Sequence, residues 1–216
     1  GIHRYFYHFF KMITRSMTKT MTMAKTNDFI PHTCIDSITV TIVIEYIDHY
    51  NGCVVFINAM NAKMKSNTIR HLNFPSEISE NITKFAYFKK YGNMPSWDTD
   101  KGDLTLRKPG DRLLRFEVKG SLDLINGGPS SFGPSEEWDS IFFVDAKGTL
   151  EKVYTVYEIR VSNHSDLWKG LQVSSKQTFS DQCVEGRRPR MKFQNIINQL
   201  PIDKWSIIFN GSIYDL

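Results

Sequence analysis

Apolar and polar positions alternate most regularly between Leu104 and Lys119, on either side of Lys108-Pro109-Gly110-Asp111. Proline presets the backbone for a turn and glycine tolerates its second corner, so the pattern predicts a strand, a tight turn and a second strand. Successive side chains on a strand point to opposite faces. Phe116 and Val118 therefore face a core, and Glu117 and Lys119 face the other way. Two apolar runs, Ile141–Val144 and Val153–Ile159, predict core strands joined by a turn at Asp145-Ala146-Lys147-Gly148, and Trp205 to Phe209 predict a closing strand. In residues 35–50 the β-branched residues favour a strand, but Ile38, Ile42, Glu45 and Tyr46 also fit a helical stripe, and the stretch is read as a helix that stops at Asn51-Gly52; an amphipathic segment follows, with Lys63, Lys65 and Arg70 near its end. Pro75-Ser76 opens a better helix, with Ser76 as its cap, running to Gly92 and burying Ile78, Ile82, Phe85 and Phe88 or Ala86. A short helix over residues 165–171 holds Trp168. The sum is an α/β fold, a mixed central sheet of about five strands flanked by helices.

Composition narrows this only a little. The chain has 216 residues, 41% hydrophobic and 23% charged, which suits one globular domain. No apolar run suggests a bilayer span, so no membrane is expected. A net charge of +4 is compatible with nucleic acid without requiring it. Cys34, Cys53 and Cys183 are scattered, which predicts reduced thiols, with neither a disulfide framework nor a zinc site. Residues 1–27 stand apart, carrying Arg4, Lys11, Arg15, Lys19 and Lys25 with no acid before Asp28. They read as a basic N-terminal arm or a leader, and residues 28–216 as a single domain.

The chemistry-bearing residues lie in the hairpin. Asp103 precedes its first strand, and Glu117 and Lys119 share a face of its second. Two carboxylates plus a substrate phosphate suffice to hold magnesium, which takes oxygen ligands and keeps several waters. A lysine beside them can position a water or stabilise charge growing on a phosphate. A four-residue turn centred on Pro109 and Gly110 would pair Asp103 with Phe116, on the wrong face. A bulge or bend in the first strand is therefore expected, bringing Asp103 beside Glu117. Glu77 and Glu80, in the first turns of the Ser76 helix, either complement the helix dipole or, in the case of Glu80, face this site. Asp98 and Asp100 are looser alternatives to Asp103, and Glu158 could abut the site from the neighbouring strand.

Asp103 with Glu117-x-Lys119 resembles the active-site signature of the PD-(D/E)XK nucleases, although Gly102 stands where proline often precedes the aspartate. Residues 76–81, the Gly128–Pro134 block with Glu137-Trp138, and Gly186-Arg187-Arg188-Pro189-Arg190 look like type II restriction endonucleases, with a narrower likeness to those of large DNA viruses of algae. The resemblance covers about residues 70–195. It implies a restriction-endonuclease-like core and Mg2+ (Mn2+ may substitute) held by Asp103 and Glu117, with Lys119 and Glu80 completing the catalytic set. It also implies hydrolysis of double-stranded DNA at a short palindromic site, and an intracellular protein of a bacterial or virus-infected cell. A cognate DNA methyltransferase would act on the same site without being bound. A homodimer is expected, because two-fold symmetry matches a palindrome.

Two further stretches suit DNA contact. The Gly/Pro/Ser-rich loop after Lys119 offers Asn126, Ser130 and Ser131, and long loops in compact domains are often functional. Near the C-terminus, Arg187, Arg188, Arg190 and Lys192 have no acid between them, and Lys176 and Gln177 add polar reach. Two rival readings remain open: a structure-specific repair, junction or RNA nuclease with the same site, and a non-catalytic DNA-binding protein.

Overall fold

In the computed structural model, residues 38–65, 69–70, 72–97, 103–110 and 112–216 are described. The basic arm, Cys34, Asp98, Asp100, Gly102 and Asp111 lie outside them. The architecture is α/β: a six-stranded mixed sheet with two helices packed on one face and short irregular elements on the other. Six strands replace the five expected, because Ser96-Trp97 adds a short edge.

Helix α1, Val40–Met64, runs through Asn51-Gly52 without a break. The stop signal is overridden by tertiary contacts. Asn51 is buried, its amide donates to the Thr149 carbonyl at 2.6 Å, and the Thr149 hydroxyl donates back at 2.9 Å. The uninterrupted helix is long and apolar enough to cross a membrane by length and composition, contrary to the reading that broke the run at Asn51. Here it places Val43, Ile47, Tyr50 and Val54 against the sheet core.

Helix α2, Ser76–Tyr91, ends at Gly92 as expected, but Pro75 is its N-cap. Ser76 lies inside the first turn and its hydroxyl bonds Glu77 at 3.2 Å. Ile78, Ile82, Phe85 and Ala86 are buried, and Phe88 is exposed. The helix rests closely on the sheet at Gly120, where an added Cβ would lie 2.8 Å from the Ser79 Cβ. That close approach sets the height of α2 above the strands.

The sheet contains β1 (Ser96–Trp97), β2 (Leu104–Arg107), β3 (Leu113–Ser121), β5 (Ser140–Gly148), β6 (Val153–Ile159) and β10 (Trp205–Ser212), in that spatial order. The β3–β5 pair is parallel and the others are antiparallel. Strand β5 continues through Asp145–Gly148, the expected turn, with a register shift there, and Thr149–Glu151 makes the turn instead. The parallel pair forces a long crossover, and residues 122–139 supply it.

Each face of the sheet carries its own core. On the helix face Phe116, Val118, Phe142 and Val144 pack with α1 and α2. On the other, Ile141, Phe143, Phe132, Trp138, Trp168 and Phe179 form an aromatic cluster. Over it lie β4 (Ser130–Ser131), α3 (Asp166–Lys169), β7 (Gln172–Ser174), β8 (Gln177–Thr178), α4 (Phe179–Val184), β9 (Arg190–Met191) and α5 (Phe193–Gln199). Cys53 and Cys183 are free thiols.

Candidate active site

Strand register brings the acids together. Leu104 pairs with Phe116 and Arg107 with Leu113, with no shift between them. Continued by one residue, that register sets Asp103 opposite Glu117. The extra residue that makes this possible sits in the turn, where Lys108 N–H donates to the Arg112 carbonyl at 2.9 Å, closing a five-residue connection. The bulge expected in the first strand is absent, and a longer turn does its work.

Asp103 is fixed by the Val118 N–H, which donates to its carboxylate at 2.7 Å. Glu117 is buried and ion-paired with Lys119, whose side chain is partly exposed. The Lys119 ammonium lies 5.8 Å from the centroid of the buried Phe132 ring. Glu80 is buried, and the Trp97 indole N–H donates to it at 2.5 Å. Of the two readings of the α2 acids, Glu77 is exposed at the first turn, while Glu80 sits against the site.

The electrostatics agree with the geometry. Burial pushes Glu117 up to about 7, against the pull of Lys119 and with a further push from Asp103. Burial, then repulsion from Asp103, pushes Glu80 up to about 7, opposed by the Trp97 bond. Asp103 is raised by burial, against the Val118 N–H and Lys119. Burial works against the charge on Lys119, yet Glu117, Glu136 and Asp103 together hold its pKa above the ordinary lysine value. Two buried acids and the half-buried Asp103, all with raised pKa values and grouped around one cation, mark a site short of positive charge.

That donor set is all oxygen, as a hard divalent cation requires. Among the described residues no group of three or more His, Cys, Asp or Glu stands ready-made as a metal cage. Magnesium does not need one when substrate phosphate and water fill the remaining positions. Asp103 and Glu117 thus fit such an ion.

The other expected positions divide into two groups. Ser130 and Ser131 pair with Met191 and Arg190 as the β4–β9 ribbon, so the Gly/Pro/Ser loop and the arginine segment form one unit. Arg188 joins them, bonding the Ser131 hydroxyl at 3.4 Å and Glu136 at 3.2 Å. Gln177 and Arg187 meet through Glu185, and Arg187 also donates to Gln177 at 3.1 Å. Arg190, Lys192 and Lys176 are exposed. Asn126 bonds Asp123 in its own turn and joins neither group. Glu158 faces the helix layer, accepting from Tyr91 at 2.6 Å and Arg160 at 3.2 Å.

Glu136, Phe132 and Trp97 escaped the sequence reading. Each reaches the site from a loop or an edge, where spacing along the chain carries no information about contact. The one available signal was Glu136-Glu137 within the Gly/Pro loop that follows β3.

Residues 45–199 match the family model described as Bsp6I restriction endonuclease. The chain is also similar to the type II restriction enzyme Bsp6I of Bacillus sp. (strain RFL6), with 30% identity over 131 residues, 61% of this chain and 68% of that protein. No solved structure matches. The curated relative is bacterial, and neither match bears on the narrower likeness to enzymes of algal viruses. The chain belongs to the Bsp6I restriction endonuclease family and is a type II site-specific deoxyribonuclease.

Proposed function

We propose that this restriction endonuclease hydrolyses double-stranded DNA with magnesium at a short palindromic site, through a PD-(D/E)XK centre made of Asp103, Glu117 and Lys119. The observation that carries this reading is the β2–β3 register, which sets Asp103 opposite Glu117 with Lys119 two residues on. Asp103 and Glu117 would hold the ion, with manganese as a substitute. A bound magnesium ion supplies Lewis-acid polarisation of the phosphoryl oxygen and a water of lowered pKa.

The chain's own groups do the rest. The Val118 N–H orients the Asp103 carboxylate. Lys119, held charged by three acids, offers its ammonium to the phosphate oxygen on which charge develops. Glu80, held between Trp97 and the acids, steadies a water or the metal. Arg187, Arg188, Arg190, Lys192, Lys176, Gln177, Ser130, Ser131 and Asn126 supply DNA contacts. Guanidinium groups read guanine edges, while the lysines and hydroxyls set the register on phosphate.

A homodimer places one centre on each strand of the palindrome. Residues 28–216 form the nuclease domain and residues 1–27 an arm or leader. The enzyme acts inside the cell, and a methyltransferase of the same specificity protects the host DNA without binding it.

Digestion of a sequenced plasmid tests this reading. Discrete fragments that need magnesium, disappear in EDTA and share one palindromic sequence at their ends are expected. Intact plasmid beside cleaved branched DNA or RNA would favour the structure-specific alternative. Retained DNA binding with no cleavage of any substrate would favour a binding protein.

A further inference from the structure

Glu136 occupies a place that neither the hairpin motif nor the basic segment explains. One of its carboxylate oxygens accepts from Arg188 at 3.2 Å, and the other is buried with no hydrogen-bond partner. The loop is shaped around this side chain. An added Cβ on Gly133 would lie 2.5 Å from the Glu136 carboxylate, and the Asn163 amide donates to the Glu136 carbonyl at 2.5 Å. A half-satisfied, partly buried carboxylate is costly unless it has a second role.

Its surroundings suggest that role. On one side stands Arg188, an exposed arginine of the expected DNA-contacting ribbon. On the other stands the cleavage centre, since the charge of Glu136 acts on Lys119, Glu117 and Asp103. Two ion pairs thus lie in sequence, Arg188 with Glu136 and Lys119 with Glu117. The second pair occupies one oxygen of Glu117. The Phe132 N–H donates to the Pro189 carbonyl at 3.0 Å, and Lys119 lies over the Phe132 ring, so the ribbon and the lysine also share a physical support.

We propose that Glu136 is a positioning residue that couples DNA contact at Arg188 to the cleavage centre by exchange of ion-pair partners. When a DNA phosphate or base takes Arg188, Glu136 loses its cation and takes Lys119 in its place. Glu117 is then released to hold the metal. No covalent bond changes, and each positive group ends beside a negative one. DNA contact thereby completes the centre, and the free enzyme holds it incomplete. This inference rests on Asp103, Glu117 and Lys119 being the cleavage centre.

The test compares Glu136→Gln, Arg188→Ala, Lys119→Ala and wild type on a duplex carrying the mapped cleavage site. Affinity is measured in EDTA, and single-turnover cleavage at saturating enzyme across a magnesium titration. Glu136→Gln should bind DNA at least as tightly as wild type, cleave about tenfold or more slower, and need more magnesium. Arg188→Ala should bind DNA more weakly but, once saturated, need no more magnesium than wild type, because its Glu136 is already free to take Lys119. A merely structural role for Glu136 would lower binding and cleavage together. Wild-type cleavage by Glu136→Gln, or a loss of binding in step with cleavage, would overturn the proposal. If Glu136→Gln melts well below wild type, Arg188→Ala decides alone: a magnesium requirement raised above that of wild type contradicts the exchange. Full activity in Lys119→Ala would instead refute the cleavage centre on which the inference stands.

Discussion

The paired strands and the basic ribbon that lies over them hold their residues by different means. Asp103, Glu117 and Lys119 are placed by backbone hydrogen bonds of long, paired strands, with α2 resting on Gly120 behind them. The basic ribbon beside them is held by a two-residue strand pair and by side-chain bonds such as those of Arg188 and Arg187. A reacting centre tolerates little displacement, since small errors in position cost large factors in rate. A DNA-reading surface must give up its internal partners to take new ones. On the proposed reading, the contrast teaches that rigidity is concentrated at the cleavage centre and adjustability at the DNA-contacting ribbon.

Substitutions can break or sharpen that contrast. The largest effect is expected from Glu117→Ala, which should slow cleavage by about 10⁴-fold or more with DNA binding kept, as losses of central catalytic groups do. Single-turnover digestion beside a binding assay checks it. Next, Phe132→Ala removes a fully buried ring that touches Trp138, Trp168 and Phe179 and supports Lys119. It should cost about 3–5 kcal/mol in urea unfolding. Gly120→Ala should cost about 1–3 kcal/mol by forcing α2 away from β3, and should slow cleavage by displacing Glu80.

A smaller effect concerns pH. Glu80 titrates at about 7 in the folded chain against an ordinary 4.5, so between those values the folded state holds a proton that the unfolded state has released. Its contribution to stability is therefore greatest at low pH and is lost as pH rises through the window. In EDTA, Glu80→Gln should remove up to about 1.4 kcal/mol per pH unit of that slope. An unchanged pH dependence of unfolding would show that Glu80 is not buried as a carboxylic acid. The smallest effect is expected on the adjustable side. Lys176→Ala or Lys192→Ala should weaken DNA binding uniformly and reduce the salt dependence by about one charge each. No loss of salt slope would remove those residues from the interface.

Regular structure was legible in the sequence and loop geometry was not. The β3 alternation placed Phe116 and Val118 in one core and Glu117 and Lys119 on the other face, because period-two patterning follows directly from backbone geometry. The Gly92 stop of α2 was equally visible. Asn51-Gly52 misled because a bond to Thr149, 98 residues away, decides what local propensity cannot. The turn over residues 108–112 is one residue longer than the tightest form its Pro-Gly corner allows, and that residue alone decides whether Asp103 meets Glu117. Glu136 was invisible for a similar reason, since only the crossover loop brings it near residues far from it in the chain.

Cleavage by Lys119→Ala is the most direct test of the account. Wild type and variant are incubated at saturating concentration with the same plasmid in magnesium, with binding measured in parallel. The account predicts that the variant binds DNA and leaves the plasmid intact while wild type gives discrete, magnesium-dependent fragments. A variant that binds and cuts at the wild-type rate would contradict it and place the cleavage centre elsewhere in the chain.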